Sequence, residues 1–440
     1  MVDPALLIAL PLGVAFLLPL ANRLNFSVAR ILHLATLAYS LGLAAFWLGE
    51  LGLFSQDAVD IETGGWAPPW GILLRLGGPE AALIALADAV AIGAAIYLAP
   101  RDRENGGVRG LMIQLMIVLG AHGLILTRDL FNMFVFLEIT SIGTYAVVLY
   151  GKEGPALEAG LKYLLIGAIA SAFILLATGI LYRLTGTLYI DDMAGRIGGL
   201  SMSAVFAVQI LMLVGFLAEL KLFPVNGPAI DLYEGADPGA MALIVGTALN
   251  AMFFAFTKVF TLFPSADMHT MVMAIGMTTY VVSNLLATRQ TQVRRILGYS
   301  SSAQMGLLVF LWPLVETHPA VFGAVALLLL NHTVAKAGLL WVAGAHGGEK
   351  LDDWRGAFTK RPFLGIAFIV LVLSVAGLPP FPGFWGKWEA LLVLAQDPAI
   401  CWWILPLLVG AFLEWVYYFG WAKRLFMARE NETRVTGATS

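Results

Sequence analysis

Apolar runs long enough to cross a membrane follow one another along almost the whole chain, and no water-soluble fold can bury so many of them. A helix of about 20 apolar residues covers the roughly 30 Å of hydrocarbon in a bilayer. Charges, Gly and Pro mark off about 13 such runs, at residues 4–21, 29–52, 79–99, 110–127, 130–150, 157–182, 203–227, 238–263, 268–288, 293–315, 319–345, 363–391 and 400–426. With 59% hydrophobic and 12% charged residues, the chain reads as an all-α polytopic membrane protein. No basic residue precedes the first run and no small-residue cleavage pattern marks it, so it is read as a retained span. Cys401 is the one cysteine, which excludes an internal disulfide and a Cys-rich metal or iron–sulfur site. No glycine-rich fingerprint follows a soluble strand either. No cofactor is therefore expected on this chain, and a self-sufficient oxidoreductase is disfavoured.

Charge asymmetry sets the expected orientation. With the amino terminus outside, Arg23, Arg30, Arg101, Arg103, Arg109, Lys152, Lys162, Arg289, Arg294, Arg295 and the basic residues from Lys350 to Arg434 in loops and tail fall inside. Only Arg75, Arg128, Arg183 and Arg196 fall on the other side, as the positive-inside rule requires. The carboxyl terminus is then cytoplasmic. The expected organisation is 1–105 as amino-terminal spans, 106–265 and 266–428 as two larger units, and 429–440 as a tail.

Several charges stand inside the apolar runs: Glu138, Glu219, Lys221, Lys258, Lys336, Lys387 and Glu414. Each opposes insertion by roughly 2.5–3.5 kcal/mol near the bilayer centre, so such groups must be paired, hydrated or used. Two spans are also interrupted by proline, at Leu222-Phe223-Pro224-Val225-Asn226-Gly227-Pro228 and at Gly377-Leu378-Pro379-Pro380-Phe381-Pro382-Gly383. Proline removes a backbone donor and frees carbonyls that hydrocarbon cannot satisfy, so these breaks must be lined by protein or water. One break in each half, flanked by Glu219 and Lys221 or by Lys387 and Glu389, points to a duplicated transporter with sites at mid-membrane. A pair of packing kinks is the plainer alternative.

The stretch Asp129-Leu-Phe-Asn-Met-Phe-Val-Phe-Leu-Glu138 resembles the antiporter-like subunits of respiratory complex I and, in wording, the large D-type component of Mrp cation/proton antiporters. Further matching segments follow in order: Phe223-Pro224, Tyr233-Glu-Gly, Arg294-Arg-Ile-Leu-Gly-Tyr299, Gln304-Met-Gly, Asn331-His332 with Lys336, and Gly377 through Lys387. The resemblance covers roughly residues 60–420. It implies two inverted five-helix repeats, each with a broken helix, and one span more than this chain displays. It also implies an ion-translocating subunit, for protons or in cation/proton exchange, in a prokaryotic inner membrane. Expected partners are other membrane subunits, further antiporter-like ones among them, and membrane lipid, with no nucleic acid. The parent complex is left open among an Mrp antiporter, a complex I relative, a membrane-bound hydrogenase and an inorganic-carbon uptake system.

By the same resemblance, Glu138 is the carboxylate that pairs with a lysine on the seventh helix and switches its proton affinity. Here that lysine position falls on Glu219, with Lys221 two residues later. Residues two apart on a helix do not share a face. On a continuous helix Lys221 therefore points elsewhere, and Glu138 pairs with Lys221, shares a proton with Glu219, or has lost its role. The bridging lysine of the eighth helix falls on Asn250, which holds water but no charge. Lys258, eight residues on, is an imperfect substitute or a snorkelling terminal lysine. In the second half, His332 and Lys336 share a face of one helix and form two stations of a relay, with Lys387 as the terminal lysine. Glu389 and Glu414 are read as exits and His346 as a route to the inner surface. Asp88, Asp231 and Glu234 are weaker candidates that helix-end solvation explains. A degenerate, non-conducting structural subunit is the competing reading, carried by Glu219 and Asn250.

Overall fold

The computed structural model describes residues 3–68, 70–101, 107–149, 154–263 and 265–427. The expected tail at 429–440, together with Arg103 and Lys152, lies outside the described residues. In chain order the first helices are α1 (Leu6–Leu24), α2 (Phe26–Leu51), α3 (Gly78–Leu98), α4 (Val108–Leu126), α5 (Leu130–Leu149), α6 (Pro155–Thr185), α7 (Ile190–Ile197) and α8 (Met202–Glu219). They continue with α9 (Gly227–Gly235), α10 (Pro238–Gly246), α11 (Ala248–Phe260), α12 (Ala266–Ala287) and α13 (Val293–Leu311). The last are α14 (Ala320–His346), α15 (Ala357–Lys360), α16 (Pro362–Ala376), α17 (Pro382–Gln396) and α18 (Ile404–Phe426). Among the described residues, 11 helices are long and apolar enough to cross a membrane.

The all-α expectation needs one correction. Residues 58–62 and 73–77 pair as a two-stranded antiparallel sheet, β1 with β2, in which Asp60 faces Arg75. Ala58-Val59-Asp60-Ile61-Glu62 alternates short, apolar and acidic side chains, the period-two pattern of a strand with one covered face. Arg75 grips Asp60 through two nitrogens at 2.7 and 3.1 Å and reaches Asp191 at 3.2 Å. Asp191, in the short helix α7, also accepts from Arg128 and from the Tyr189 hydroxyl at 2.7 Å. Burial alone would raise the Asp191 carboxyl, but its hydrogen bonds from Tyr189 and Arg128 outweigh that and hold it below the usual range. A carboxyl held low in the fold contributes stability that is present at neutral pH and is lost as pH falls through its folded value. The thermal midpoint is therefore expected to drop below about pH 4, and Asp191→Asn to remove part of that acid sensitivity, as a melting series against pH would read.

The described chain divides into two compact units, one of Met1–Lys221 with Gly239–Thr270, the other of Leu222–Pro238 with Met271–Ser440. In the first, α4 packs against α1, α3, α5 and α11, and α6 against α8. The α10–α11 stretch is almost wholly buried, so it forms the centre rather than a lipid-facing wall. In the second, α14 packs against α13, α16 and α17, and α18 against α16. There α12 and α13 meet backbone to backbone: a Cβ at Gly306 would stand 2.7 Å from the Gly276 carbonyl oxygen. Only glycine permits that approach.

Both proline segments interrupt helices as expected. Helix α8 stops at Glu219 and α9 starts at Gly227; α16 stops at Ala376 and α17 starts at Pro382. The second stop is made by Gly377, whose φ of 74° is left-handed. Its freed carbonyls are not left facing hydrocarbon: Val375 O accepts from Lys387 Nζ at 3.3 Å and Ala376 O from the Trp415 indole.

Candidate functional site

In the second unit, α14 carries His332 and Lys336 one turn apart, both buried. Lys336 Nζ donates to Ser300 Oγ and to the Tyr418 hydroxyl at 2.7 Å, and Tyr418 in turn donates to Ser300 Oγ at 3.0 Å. His332 Nε2 stands 3.5 Å from Ser301 Oγ. Hydroxyls both give and take a hydrogen bond, so this set can pass a proton as well as hold an ammonium.

On α17, Lys387 forms an ion pair with Glu414 of α18, and Glu414 Oε1 accepts from Gln304 Nε2 at 2.9 Å. The Glu414 side chain is 0% exposed and that of Lys387 12%. Glu414 is therefore no exit: it is the buried partner of Lys387. A carboxylate near a chain's last helix is ambiguous in sequence until its facing residue is known. Glu389, two residues past Lys387 on α17, is only partly buried. His346 stacks on Trp354 at 4.1 Å and accepts from the Gly348 N–H at the end of α14.

These two clusters share their supports. Ser300 and Gln304 lie four residues apart on α13, and Glu414 and Tyr418 four apart on α18. Four residues rise about 6 Å, one turn. The pairs Ser300 with Tyr418 and Gln304 with Glu414 are thus successive rungs between two antiparallel helices, with one lysine on each rung.

The first unit holds a small pocket of about 20 Å³, lined by Thr140, Ser141, Tyr163, Glu219, Lys221 and Met252 among others. That volume holds about one water molecule. Lys221 and Glu219 line it together, against the expectation that they point to different faces. The physical reason is local: α8 ends at Glu219, and Lys221 turns back with φ 58°. Among the described residues it is the one non-glycine with positive φ. A left-handed conformation costs such a residue roughly 1–2 kcal/mol. The Lys221 ammonium stands 5.7 Å from the Tyr163 ring. Glu219 interacts electrostatically with both Glu138, half-buried on α5, and Lys221.

Asn250 is buried on α11, and its side-chain amide donates to Gly246 O at 2.9 Å. Lys258 lies elsewhere: its Nζ donates to the carbonyl of Ile125, to that of Thr127 at 3.0 Å and to that of Leu124 at 3.4 Å. These are orphan carbonyls at the end of α4, and a cation there also meets the negative end of the helix dipole. Its charge therefore closes a helix rather than standing in for Asn250.

Asp231 and Glu234 of α9 both hold Arg295, at 2.8 and 2.6 Å. Asp88 contradicts its reading as a solvated helix-end residue. It sits in the middle of α3, fully buried, with its Oδ1 2.9 Å from His122 Nε2. His122, Gln304, Ser300 and Tyr418 were not singled out as functional from the sequence. A single ionisable group in an apolar run, the pattern that marks Glu138, marks His122 in 110–127 equally well.

The sequence between the two breaks and around them carries the family evidence. Residues 127–413 match the family described as NADH:quinone oxidoreductase/Mrp antiporter, TM. The chain is 32% identical over 435 residues to NADH-quinone oxidoreductase subunit N of Desulforudis audaxviator, covering 94% of this chain and 85% of that protein. It is 33% identical over 334 residues to NADH-quinone oxidoreductase subunit 14 of Thermus thermophilus, covering 75% of this chain and 73% of that one. Its fold is similar to a chain in the structure of the membrane-bound sulfane sulfur reductase, an archaeal respiratory membrane complex. The TM-score there is 0.90 at 28% identity, over 97% of this chain and 88% of the other. With its broken helices, its buried lysines and these matches, the chain belongs to the NADH:quinone oxidoreductase/Mrp antiporter transmembrane family.

Proposed function

We propose that this chain is the ion-translocating, antiporter-like subunit of a multi-subunit prokaryotic inner-membrane complex, working through buried Glu, Lys, His and water. Its partners are other membrane subunits, further antiporter-like ones included, and lipid; it holds no redox cofactor. It crosses the membrane 13 times by this reading, with two inverted repeats at 106–265 and 266–428, the amino terminus outside and the carboxyl terminus cytoplasmic. The observation that carries the reading is the pair of lysine rungs between α13 and α18.

Lys387 closed on Glu414 neutralises that carboxylate. When Lys387 swings off, the bare carboxylate lies one turn from Lys336 and attracts its proton-loaded form; when the pair closes again, that attraction is lost. Tyr418 and Ser300 supply the adjoining acceptor and donor through which the proton leaves or returns. His332, next to Ser301, extends the route along α14. In the first unit Glu138, Glu219 and Lys221 form the equivalent switch around a single water site, with Asn250 replacing a charge by a polar side chain.

The competing reading, a non-conducting structural subunit, is favoured by two observations in the first unit: the Asn250 amide donates to the last residue of α10, and Lys258 closes α4. Proton uptake by vesicles containing the reconstituted complex separates the two. Lys336→Ala is expected to lower it roughly hundredfold, the scale of losing one proton-transfer group. Unchanged uptake in both Lys336→Ala and Lys387→Ala would leave only the structural reading.

A further inference from the structure

Helix α1 contains Pro11, which has no N–H to give to the carbonyl of Leu7 one turn back. That carbonyl is met from another helix: His122 Nδ1 lies 2.9 Å from Leu7 O. A carbonyl only accepts, so Nδ1 carries the proton and the tautomer is fixed by the backbone. The other ring nitrogen then faces Asp88 Oδ1 at 2.9 Å. Both side chains are 0% exposed. With Nδ1 protonated, one shared proton between Nε2 and Oδ1 makes the pair electrically neutral, which is what permits it inside a membrane unit. Joining α1, α3 and α4 needs no titratable groups, since apolar or amide side chains do so with less desolvation cost. Asp88 Oδ2 is fully buried and has no hydrogen-bond partner among the described residues. A carboxylate kept only for structure is ordinarily saturated.

We propose that Asp88 and His122 form a proton-exchange site in the amino-terminal helices of the first unit, distinct from Glu138, Glu219, Lys221 and the rungs of the second unit. The resting pair holds one exchangeable proton in the Nε2···Oδ1 hydrogen bond. Loading forms one O–H bond at the open Oδ2 while the imidazolium keeps both of its N–H bonds. The loaded site carries one positive charge, which a fully buried position does not retain, so the proton passes on and the neutral pair is restored. The ionisable groups on the elements packed around it are Arg30, His33, Tyr39 and Glu50 on α2, of which His33 alone is fully buried; Glu80 and Tyr97 on α3, with Arg101 in the turn that follows it; Arg109 on α4; Glu138 and Tyr145 on α5; Lys258 on α11; and Arg75 on β2. Arg23 is the one on α1. Both ring nitrogens of His33 are without a hydrogen-bond partner among the described residues, which makes it the adjoining group on α2 open to a water or proton.

The proposal rests on the reading of the chain as proton-carrying, and its test separates the two. Asp88→Asn keeps a hydrogen bond to Nε2 and removes the exchangeable proton. In the intact reconstituted complex it is expected to leave assembly and the thermal midpoint unchanged while proton uptake falls about tenfold, with Asp88→Glu retaining more of it. Wild-type uptake in an assembled Asp88→Asn complex overturns the proposal. Should that variant fail to assemble, infrared spectroscopy of the native complex carrying isotope-labelled aspartate decides. Asp88 is the one fully buried aspartate among the described residues. A labelled carboxyl band that appears or exchanges deuterium during turnover supports the proposal, and its absence overturns it. Failure of the relay reading is seen instead in Lys336→Ala, which leaves Asp88 and its infrared band untouched.

Discussion

Replacing Lys387 by methionine is expected to cost the protein both stability and transport. Glu414 is entirely enclosed, and without Lys387 its charge keeps, among the described residues, the Gln304 amide. Removing one member of a buried pair typically costs about 3–5 kcal/mol, because the other charge stays behind unpaired. A lowered thermal midpoint of the purified complex would register this. The double change Lys387→Met with Glu414→Gln removes both charges and leaves Gln304 a partner, so it should recover most of the midpoint. Proton uptake should recover in neither. Recovery of uptake in the double variant would mean that the pair only holds α17 against α18.

Lys221→Met is the second change with a large expected effect. In the first unit this ammonium is the cation that offsets Glu219, which also feels Glu138. Two carboxylates with no cation beside them share a proton rather than both ionising, so the switch loses one of its two states. Uptake is expected to fall roughly hundredfold. Lys221→Arg separates two roles of the charge. Arginine keeps it but does not release a proton at accessible pH. If lysine carries protons, the arginine protein assembles and stays inactive; equal activity of the two would reduce Lys221 to an electrostatic anchor.

The mostly helical, many-span character was legible because hydrocarbon imposes a strict rule on composition and on the backbone. A run such as 320–346 has no alternative to a helix, and the Pro-rich segments at 224 and 379–382 have none to breaks. The hairpin at 58–77 was hidden because a short strand pair depends on its partner as much as on its own alternation. The placement of candidate residues was legible where one helix carried the whole signal: His332 and Lys336 lie one turn apart, both buried on α14. The partners of other candidates were not legible, because they lie across helices. Asp88 is explained by His122, Glu414 by Lys387 and Gln304, and Lys258 by the end of α4, and no spacing within one helix reveals such partners. Lys221 failed for a subtler reason. The face rule holds only within a helix, and α8 ends two residues before it, so the backbone turn rather than the helix phase aims the side chain.

The enclosure of the Lys387–Glu414 pair has an energetic consequence for how such a unit is driven. A membrane potential of 100 mV does about 2.3 kcal/mol of work on one charge carried fully across, and less on a side chain that moves only part of the way. Drawing the two charges apart leaves Glu414 uncompensated, at a cost on the scale of that incurred when one partner of a buried pair is removed, about 3–5 kcal/mol. Voltage alone therefore leaves the pair shut nearly all the time. Water entering between α17 and α18, or a charge arriving from a neighbouring protein of the complex, must lower that threshold first. Under the proposed relay, the closed pair guards against idle ion leakage whenever the rest of the assembly is at rest.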